Sequence, residues 1–401
     1  MNTRQAIDNS SSPVSLSAAF NQDNTCFSVG LNSGFCVFNS DPCELRVARD
    51  FNAGIGLVEM LGRANYIALV GGGKQPKFPQ NKVLMVIIWD DAKQKPVITL
   101  EFRSPIYRVR LSRTRIVVTL CNSIHVYAFS SPPEKLSVFE TADNPFGLCC
   151  LGSRLLAFPG RTPGQVQLVE IGRGNVSIIP AHSAALRALD LSRDGEILAT
   201  ASETGTLIRI WSTTNCSRIA ELRRGVDPAA IFSLAISPSN TLLATTSDKS
   251  TLHIFDLPHP HNVSRPEATI ANRQQPPTKG SPASGSTDEV NSQKWGILGK
   301  IPLLPRVFSD VYSFTSAHFE IGDEGPLPGQ SGRSSMLTAA LSMGALGGRA
   351  PKGVVGWLTD DTLVVIGAGR DGRWEKFVLV EGEDRKRVCV RHGWRRYLGD
   401  S

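Results

Sequence analysis

The chain has 401 residues, a formal net charge of +7 and 41% apolar side chains. Its charged fraction of 20% and aromatic fraction of 7% exclude a wholly disordered chain, a coiled coil and a collagen-like chain. The longest apolar run, residues 83–89, is far shorter than the roughly 20 residues of a transmembrane helix, so the sequence predicts a soluble globular protein whose charge suits polyanionic partners.

The N-terminal segment and the cysteines indicate a reducing compartment. Residues 1–13 are predicted to be flexible, and no apolar stretch within residues 1–15 could serve as a signal peptide. Eight cysteines are scattered without CxxC spacing. We therefore expect buried free thiols in a cytosolic protein, with no disulfide, no metal site and no cofactor.

An internal repeat organises the chain. Residues 191–206 match residues 236–251 at an offset of 45, which aligns Ser202 with Ser247 and Thr206 with Thr251. A fainter copy begins at residue 20, at an offset of 171 from the first, which is about four such periods. A repeat of this length is typical of the blades of a β-propeller.

Short β-branched and aromatic segments between turn signals predict strands in the remaining parts. The sequence thus predicts an all-β, seven-bladed WD-type β-propeller over residues 14–390. Its predicted blades are 14–58, 59–103, 104–144, 145–180, 181–226, 227–320 and 353–390. Because an open ring would leave unpaired edges, a strand from the N-terminal segment is expected to complete the last blade.

Three segments depart from the repeat. Residues 258–310 predict a long mobile loop in blade six, because residues 258–294 contain six prolines and no aromatic residue. Residues 322–352 predict a low-complexity insertion before blade seven, in which only residues 336–346 suit a short helix. Residues 391–401 are expected to form a basic C-terminal tail.

Blade five ends in Leu222-Arg223-Arg224-Gly225. This motif resembles the Phe/Leu-Arg-Arg-Gly hallmark of the PROPPIN family, the WIPI-like seven-bladed propellers that bind phosphoinositides. Leu222 and the Asp143-Asn144-Pro145 stretch are similar to the branch that contains the fungal homologue-with-swollen-vacuole proteins and the shorter WIPI proteins. The resemblance covers residues 14–320, and further matching stretches are 20–23, 56–60, 68–73, 76–78, 88–91, 143–149 and 158–160.

The resemblance implies a non-enzymatic, peripheral-membrane protein that recognises phosphatidylinositol 3-phosphate and phosphatidylinositol 3,5-bisphosphate. It also implies a role in autophagy and in vacuolar or endosomal membrane traffic, with an autophagy-related lipid-transfer or scaffold protein as partner. The expected protein is a monomer, cytoplasmic and peripherally bound to vacuolar, endosomal or autophagy-related membranes.

The residues themselves indicate two phosphate pockets. Successive strand residues point to opposite faces, so Arg223 and Arg224 cannot serve one pocket. Guanidinium groups flanked by hydroxyl and imidazole donors suit phosphates on a sugar-like ring. The first pocket is predicted to contain His182, Ser202, Thr206, Arg209 and Arg223. The second is predicted to contain Arg224, Ser247, Lys249, Thr251 and His253. Alternatively, the hydroxyls make the ordinary contacts of WD-type blades while the arginines are solvated.

The end of the blade-six loop has a composition that suits a bilayer interface. Its predicted membrane-inserting residues are Trp295, Ile297, Leu298, Ile301, Leu303, Leu304 and Phe308. The alternative is that this segment packs against blade six.

Two motifs and two rival functions complete the sequence picture. The GxGxxG of residues 367–372 precedes a strand pattern, so it predicts a hairpin and not a dinucleotide site.

Residues 385–396 carry six cations, which suit either nucleic acid or anionic lipid. We prefer anionic lipid, so no nucleic-acid partner is expected. The chief rival function is a cytosolic WD-type scaffold without lipid binding, and an enzyme ranks third.

Overall fold

The computed structural model describes residues 13–73, 75–78, 84–258, 311–321, 351–382 and 384–399. The described residues form 29 strands in seven sheets and contain no helix. Among them, therefore, no helical segment has the length and apolarity to cross a bilayer. The predicted seven-bladed β-propeller is confirmed.

The first three blades each contain four antiparallel strands in chain order. Blade one contains β1 (Ser15–Phe20), β2 (Cys26–Leu31), β3 (Gly34–Asn39) and β4 (Leu45–Asp50). Blade two contains β5 (Ile55–Met60), β6 (Tyr66–Gly71), β7 (Leu84–Asp90) and β8 (Lys95–Phe102). Blade three contains β9 (Arg108–Leu111), β10 (Arg115–Thr119), β11 (Ser123–Ala128) and β12 (Lys135–Glu140).

Blades four and five continue this order, and blade five gains a fifth strand. Blade four contains β13 (Cys150–Leu151), β14 (Leu155–Pro159), β15 (Gln165–Glu170) and β16 (Val176–Pro180). Blade five contains β17 (Leu186–Leu191), β18 (Ile197–Ser202), β19 (Leu207–Ser212) and β20 (Arg218–Arg223). Its fifth strand, β24 (Val311–Tyr312), lies parallel to the outer edge of β20.

The last two blades hold the predicted insertions. Blade six contains β21 (Ile231–Ile236), β22 (Leu242–Ser247), β23 (Thr251–Asp256) and, as outer strand, β25 (Thr315–His318). Blade seven contains β26 (Val354–Trp357), β27 (Thr362–Gly367), β28 (Arg373–Glu381) and β29 (Arg387–Arg396). Most of the predicted blade-six loop, the predicted helix 336–346 and residues 1–12 lie outside the described residues.

Burial along the strands follows their position in the ring. The second strands are buried on both faces because blades pack on either side; β18, for example, is buried along its whole length. The outer strand β8 instead alternates between exposed and buried residues over its second half. This two-residue period directs the buried side chains of β8 to the cluster that it shares with blade three, while the alternate ones face solvent.

Blade seven corrects the predicted closure of the ring. Its outer strand is β29, which is continuous with β28 through a turn, whereas β1 pairs with β2 inside blade one. The predicted completion of the last blade by an N-terminal strand is therefore wrong for the described residues. Residues 391–396, which the sequence assigned to a tail, form the second half of β29. The predicted boundary at residue 58 is also wrong, since it divides β5.

The seam between blades seven and one closes through side-chain packing and one short bridge. The Ser15 amide donates to the Gly369 carbonyl at 3.1 Å, and the Gly369 amide donates back to Ser15 at 2.9 Å. Beside this bridge Tyr397 lies 5.4 Å, between ring centroids, from Phe27 and 5.4 Å from Phe38. The ring thus closes without a sheet shared by the two ends of the chain.

Two smaller sequence predictions also receive an answer. β27 and β28 pair as an antiparallel hairpin, which confirms that interpretation of the GxGxxG motif. All eight cysteines are free; four are buried and four partly buried. Burial raises the pKa of the Cys43 thiol to about 12, which keeps it protonated at neutral pH.

Candidate functional site

The two faces of blade five contact different neighbours. Ala201, Ile208 and Leu222 pack in one apolar cluster with blade-six side chains. Leu198 and Trp211, which lie on the opposite face of these strands, pack with blade four. Because side chains alternate along a strand, Ser202, Arg209 and Arg223 face blade four, and the predicted first pocket lies in the groove between blades four and five.

Arg209 is held firmly at this groove. Its Nε donates to Glu221 Oε2 at 2.7 Å and its Nη1 donates to the Ala181 carbonyl at 2.7 Å. Arg218 also donates to Glu221 Oε2, at 3.0 Å. A carboxylate thus already lies within the predicted phosphate pocket, so an entering anion has to share Arg209 with Glu221.

His182 joins a hydrogen-bond network inside blade five. Its Nε2 lies 2.9 Å from Thr200 Oγ1, which also accepts a bond from Trp211 Nε1 at 3.1 Å. Burial, with help from Arg209, lowers the pKa of His182 to about 4, so the ring is neutral at pH 7. Only Nδ1 remains for a ligand, and the fixed ring is first of all a structural link between a loop and two strands.

Ser202 and Thr206 also contact their own blade. Ser202 Oγ lies 2.8 Å from Thr204 Oγ1, and the Thr206 carbonyl accepts a bond from the Arg224 amide at 2.9 Å. Thr206 lies in the turn between β18 and β19, whereas Thr251 begins β23. The matching turn in blade six is one residue shorter, so the predicted match of Thr206 with Thr251 is wrong.

The register of the strands gives the corrected match. Thr200 pairs with Arg209 in blade five, and Thr245 pairs with His253 in blade six. His253 therefore occupies the position of Arg209, one blade further round the ring. The two grooves share one architecture but present a guanidinium in the first and an imidazole in the second.

The predicted second pocket lies in the groove between blades five and six. Leu243 and Phe255 pack against blade five. Ser247, Thr251 and His253 lie on the same face of their strands as these two residues. Ser247 is fully buried, with its Oγ 3.3 Å from Thr251 Oγ1. The exposed Lys249 occupies the turn between these two residues. Hydroxyl, imidazole and ammonium groups therefore meet at this rim.

Arg224 lies in the same second groove, but it is more constrained than the sequence indicated. It is only 8% exposed; its Nε donates to the Gly205 carbonyl at 2.9 Å and its Nη2 to the Asp227 carbonyl. Burial lowers its pKa, while Asp248 and Asp227 oppose that shift. Its Nη1 makes no hydrogen bond with a described residue. Arg224 is thus a preoriented cation, not a solvated one.

Arg223 diverges from Arg224, as the alternation of a strand requires. It pairs across the sheet with Leu207, whose side chain shares the blade-four face, and on its outer side with Tyr312 of β24. The structure therefore brings each arginine to a different groove, together with most of the residues predicted for it.

Two residues that the sequence did not indicate lie at the second groove. Ser313 Oγ is 3.0 Å from His253 Nδ1, and the exposed His318 pairs with Thr251 across β25 and β23. They follow a long insertion, so the repeat gives no register for them. The sequence did offer one indication of their place: blade six still required an outer strand after its loop.

Burial, followed by Arg224 and His318, lowers the pKa of His253 to about 4. At neutral pH the imidazole is therefore uncharged, and the positive charge of this groove resides on Arg224 and Lys249. Within the part of the chain that the structure describes, no group of three histidine, cysteine or carboxylate side chains could hold a metal. The seven predicted membrane-inserting residues between Trp295 and Phe308 lie outside the described residues and stay a prediction.

Comparisons with known proteins find a matching family model and curated relatives. Residues 15–273 match the PROPPIN family model. SVP1-like protein 2 of Emericella nidulans is 65% identical over 340 residues, covering 85% of this chain and 99% of that protein. SVP1-like protein 2 of Saccharomyces cerevisiae is 34% identical, covering 95% of this chain and 90% of that protein.

Solved structures share the fold. Kluyveromyces lactis Hsv2 superimposes with a TM-score of 0.71 at 21% identity, covering 96% of this chain and all of that one. The KlAtg21 complex with the coiled-coil of AgAtg16 gives a TM-score of 0.60 at 20% identity, covering 96% of this chain and 99% of that one. At such identities the likeness concerns the propeller architecture alone.

Proposed function

Because the chain belongs to the PROPPIN family of phosphoinositide-binding propellers, we propose that it recognises phosphatidylinositol 3-phosphate and phosphatidylinositol 3,5-bisphosphate at a membrane surface. The observation that carries this proposal is the divergence of Arg223 and Arg224 into adjacent grooves of one rim. Two headgroups bound side by side hold the propeller more tightly than one, because the second contact forms at high effective concentration.

The donors in each groove suit phosphate. Guanidinium groups give multidentate, charge-assisted bonds to phosphate oxygens, and hydroxyl groups add neutral donors. Ser202, Arg209 and Arg223 would serve the first headgroup, with His182 at its margin. Arg224, Ser247, Thr251 and His253 would serve the second, with Lys249 and His318 as outer contacts. Thr206 would act indirectly, because its carbonyl accepts a bond from the Arg224 amide and so holds the turn beside Arg224.

Membership of the family supports a proposal for the cellular role. We place the protein in autophagy and in vacuolar or endosomal membrane traffic, peripherally bound from the cytoplasm. Its protein partner would be an autophagy-related lipid-transfer or scaffold protein. The similarity to KlAtg21, whose structure was solved with the coiled-coil of AgAtg16, supports a partner of this kind.

Replacing Arg223 by Thr should weaken binding to liposomes that contain phosphatidylinositol 3-phosphate by about tenfold to a hundredfold. The loss of a charge-assisted contact costs about 1.5–3 kcal/mol, and the other guanidinium of that groove, Arg209, is already held by Glu221 and the Ala181 carbonyl. Flotation of the protein with liposomes measures the effect. Arg46→Thr is the matched control, because it removes one exposed arginine from the outer strand of blade one, which borders neither groove.

The second groove needs a separate variant. Arg224→Thr would free the Gly205 and Asp227 carbonyls as well as remove the cation, so its fold has to be verified by circular dichroism. Unchanged flotation of the Arg223→Thr, Arg224→Thr double variant with a native spectrum would contradict the two-pocket proposal.

Insertion of the blade-six loop is tested by a paired measurement. Replacing Trp295, Leu298, Leu303 and Leu304 by Asp should weaken flotation strongly, because each large apolar side chain buried in the acyl boundary contributes about 1.5–3 kcal/mol. Affinity for soluble inositol 1,3-bisphosphate, measured by calorimetry, should change little. If both affinities fall together, the segment belongs to the folded blade.

One observation favours the rival function of a cytosolic scaffold without lipid binding. His182 and Ser202 make hydrogen bonds within blade five, as WD-type structural residues do. Failure of the unaltered protein to float with phosphoinositide liposomes would support this alternative.

A further inference from the structure

The chain that returns from the blade-six loop crosses the second groove. β24 pairs with the outer edge of blade five at Arg223, and the Phe314 amide then donates to the Ile254 carbonyl of blade six at 3.0 Å. β25 continues along β23, with Ser316 opposite His253. Ser313 lies at the crossing between β24 and β25, and its hydroxyl reaches His253 Nδ1 at 3.0 Å.

The chemistry of a neutral imidazole makes this contact selective. One ring nitrogen carries a hydrogen and donates, while the other accepts. A phosphate accepts bonds, so it requires N–H at the nitrogen that faces it. A serine hydroxyl can donate to Nδ1, and the ring hydrogen then resides on Nε2.

The groups around His253 make the neutral form the relevant one. Arg224 faces it from the β20–β21 connection and His318 from β25, while Asp248 and Asp227 act on Arg224 and Lys249 lies in the adjoining turn. Burial and the two nearby basic groups lower the pKa of His253 to about 4. The imidazolium, which would donate from both nitrogens, is therefore scarce at pH 7.

The histidine of the first groove is fixed through the other nitrogen. Thr200 Oγ1 donates to the Arg209 carbonyl, so His182 Nε2 donates to that hydroxyl and leaves Nδ1 as an acceptor, which a phosphate cannot use. In the second groove the bond from Ser313 is to Nδ1, and the nitrogen left for a ligand is Nε2.

We propose that Ser313 is a positioning residue of the second pocket: its hydroxyl donates to His253 Nδ1 and so fixes the tautomer whose Nε2–H binds a phosphate oxygen. This inference rests on the proposed function for the identity of the ligand. The assignment of the tautomer does not depend on it.

The tautomer can be observed directly in the unliganded protein. Long-range proton–nitrogen spectra of protein labelled with ¹⁵N-histidine, with His253 assigned through His253→Gln, should show Nε2 protonated and Nδ1 bare at pH 7. Ser313→Ala should shift the Nδ1 signal, and Ser313→Thr should restore it. A protonated Nδ1 in the unaltered protein would overturn the inference.

The role in binding is measured in the Arg223→Thr background, which weakens the first pocket. Calorimetry with inositol 1,3-bisphosphate between pH 5.5 and 8 should show about a fivefold loss for Ser313→Ala at pH 7.5, as expected for one lost hydrogen bond. The loss should stay the same throughout this range, because the imidazolium, which presents Nε2–H in either case, is scarce well above a pKa of about 4. Ser104→Ala, at an exposed serine between blades two and three that borders neither groove, is the control and should match its parent.

The outcomes distinguish a failure of the inference about Ser313 from a failure of the proposed function. A Ser313→Ala protein with the affinity and pH profile of the control would overturn the role of Ser313 in binding. Absence of binding by the unaltered protein would contradict the proposed function instead, and the spectra would then decide the tautomer alone.

Discussion

Arg223 and Arg224 are neighbours in the chain yet lie in different grooves. The alternation of a strand was enough to predict that they serve different grooves. It could not predict that Arg224 would be buried against two carbonyls, because Gly205 lies 19 residues away in a turn and the contact with Asp227 depends on how the connection after β20 folds back. The same limit applies to His182, whose bond to Thr200 depends on how a loop folds onto a strand.

His182 should also give the protein a measurable pH dependence. Its folded pKa of about 4 lies below the ordinary value of 6.5, so the unfolded state binds more protons between these values. Stability is therefore complete above pH 6.5 and falls as the pH drops toward 4. His182→Gln should reduce this slope by about 1 kcal/mol per pH unit, as measured by chemical denaturation between pH 5 and 6.5.

The comparison has to be made between variant and parent. Burial raises the pKa of Asp190 to about 7, so Asp190 contributes stability of the opposite sign as the pH falls. Because both proteins contain Asp190, its contribution cancels in the difference. Equal slopes for His182→Gln and its parent would show that the ring titrates normally in the folded protein.

At the scale of the element, blades five and six show how the same strand pattern is stabilised differently. Thr200 Oγ1 contacts His182, Trp211 Nε1 and the Arg209 carbonyl, whereas Thr245 Oγ1 donates only to the Ser233 carbonyl. Phe255, which has no N–H, occupies the position of Trp211. The sequence repeat revealed the shared strands but not this difference in their bonding.

Thr200→Val should therefore destabilise the protein more than Thr245→Val. Both side chains are fully buried and both changes preserve shape. The first leaves the Trp211 N–H without its acceptor and should cost about 1–3 kcal/mol more than the second, since an unsatisfied buried donor is expensive. Urea denaturation of the two variants measures the difference. Equal losses would mean that the Thr200 network contributes nothing beyond one hydrogen bond.

At the scale of the whole molecule, the number of blades was predictable and the closure of the ring was not. Repeat spacing and strand composition sufficed for seven blades. The basic character of residues 385–396 concealed a strand, because its charges pair with residues far along the chain: Arg387 with Asp256, and Arg391 with Glu375. From the adjacent residues alone, such cations are predicted to be solvated.

Tyr397 tests this closure. Its ring packs among Phe27 and Phe38, and its hydroxyl donates to the Gly367 carbonyl at 2.8 Å. Tyr397→Ala should lower the free energy of unfolding by about 3–5 kcal/mol, as for other large buried rings. Trp394→Ala, in β29 three residues before Tyr397 but 53% exposed, should cost less than about 1 kcal/mol. Similar small losses for both would restore the tail interpretation.

The seam also determines where the two ends of the folded chain emerge. Ser15 Oγ lies 3.2 Å from the Tyr397 hydroxyl, so both ends leave the ring between blades seven and one. The candidate grooves lie between blades four and five and between five and six, and neither borders that seam. A fluorescent protein or an affinity tag fused at either end therefore departs from blades that line neither candidate groove. Microscopy of such a fusion can test recruitment to membranes without blocking the arginines proposed to cause it.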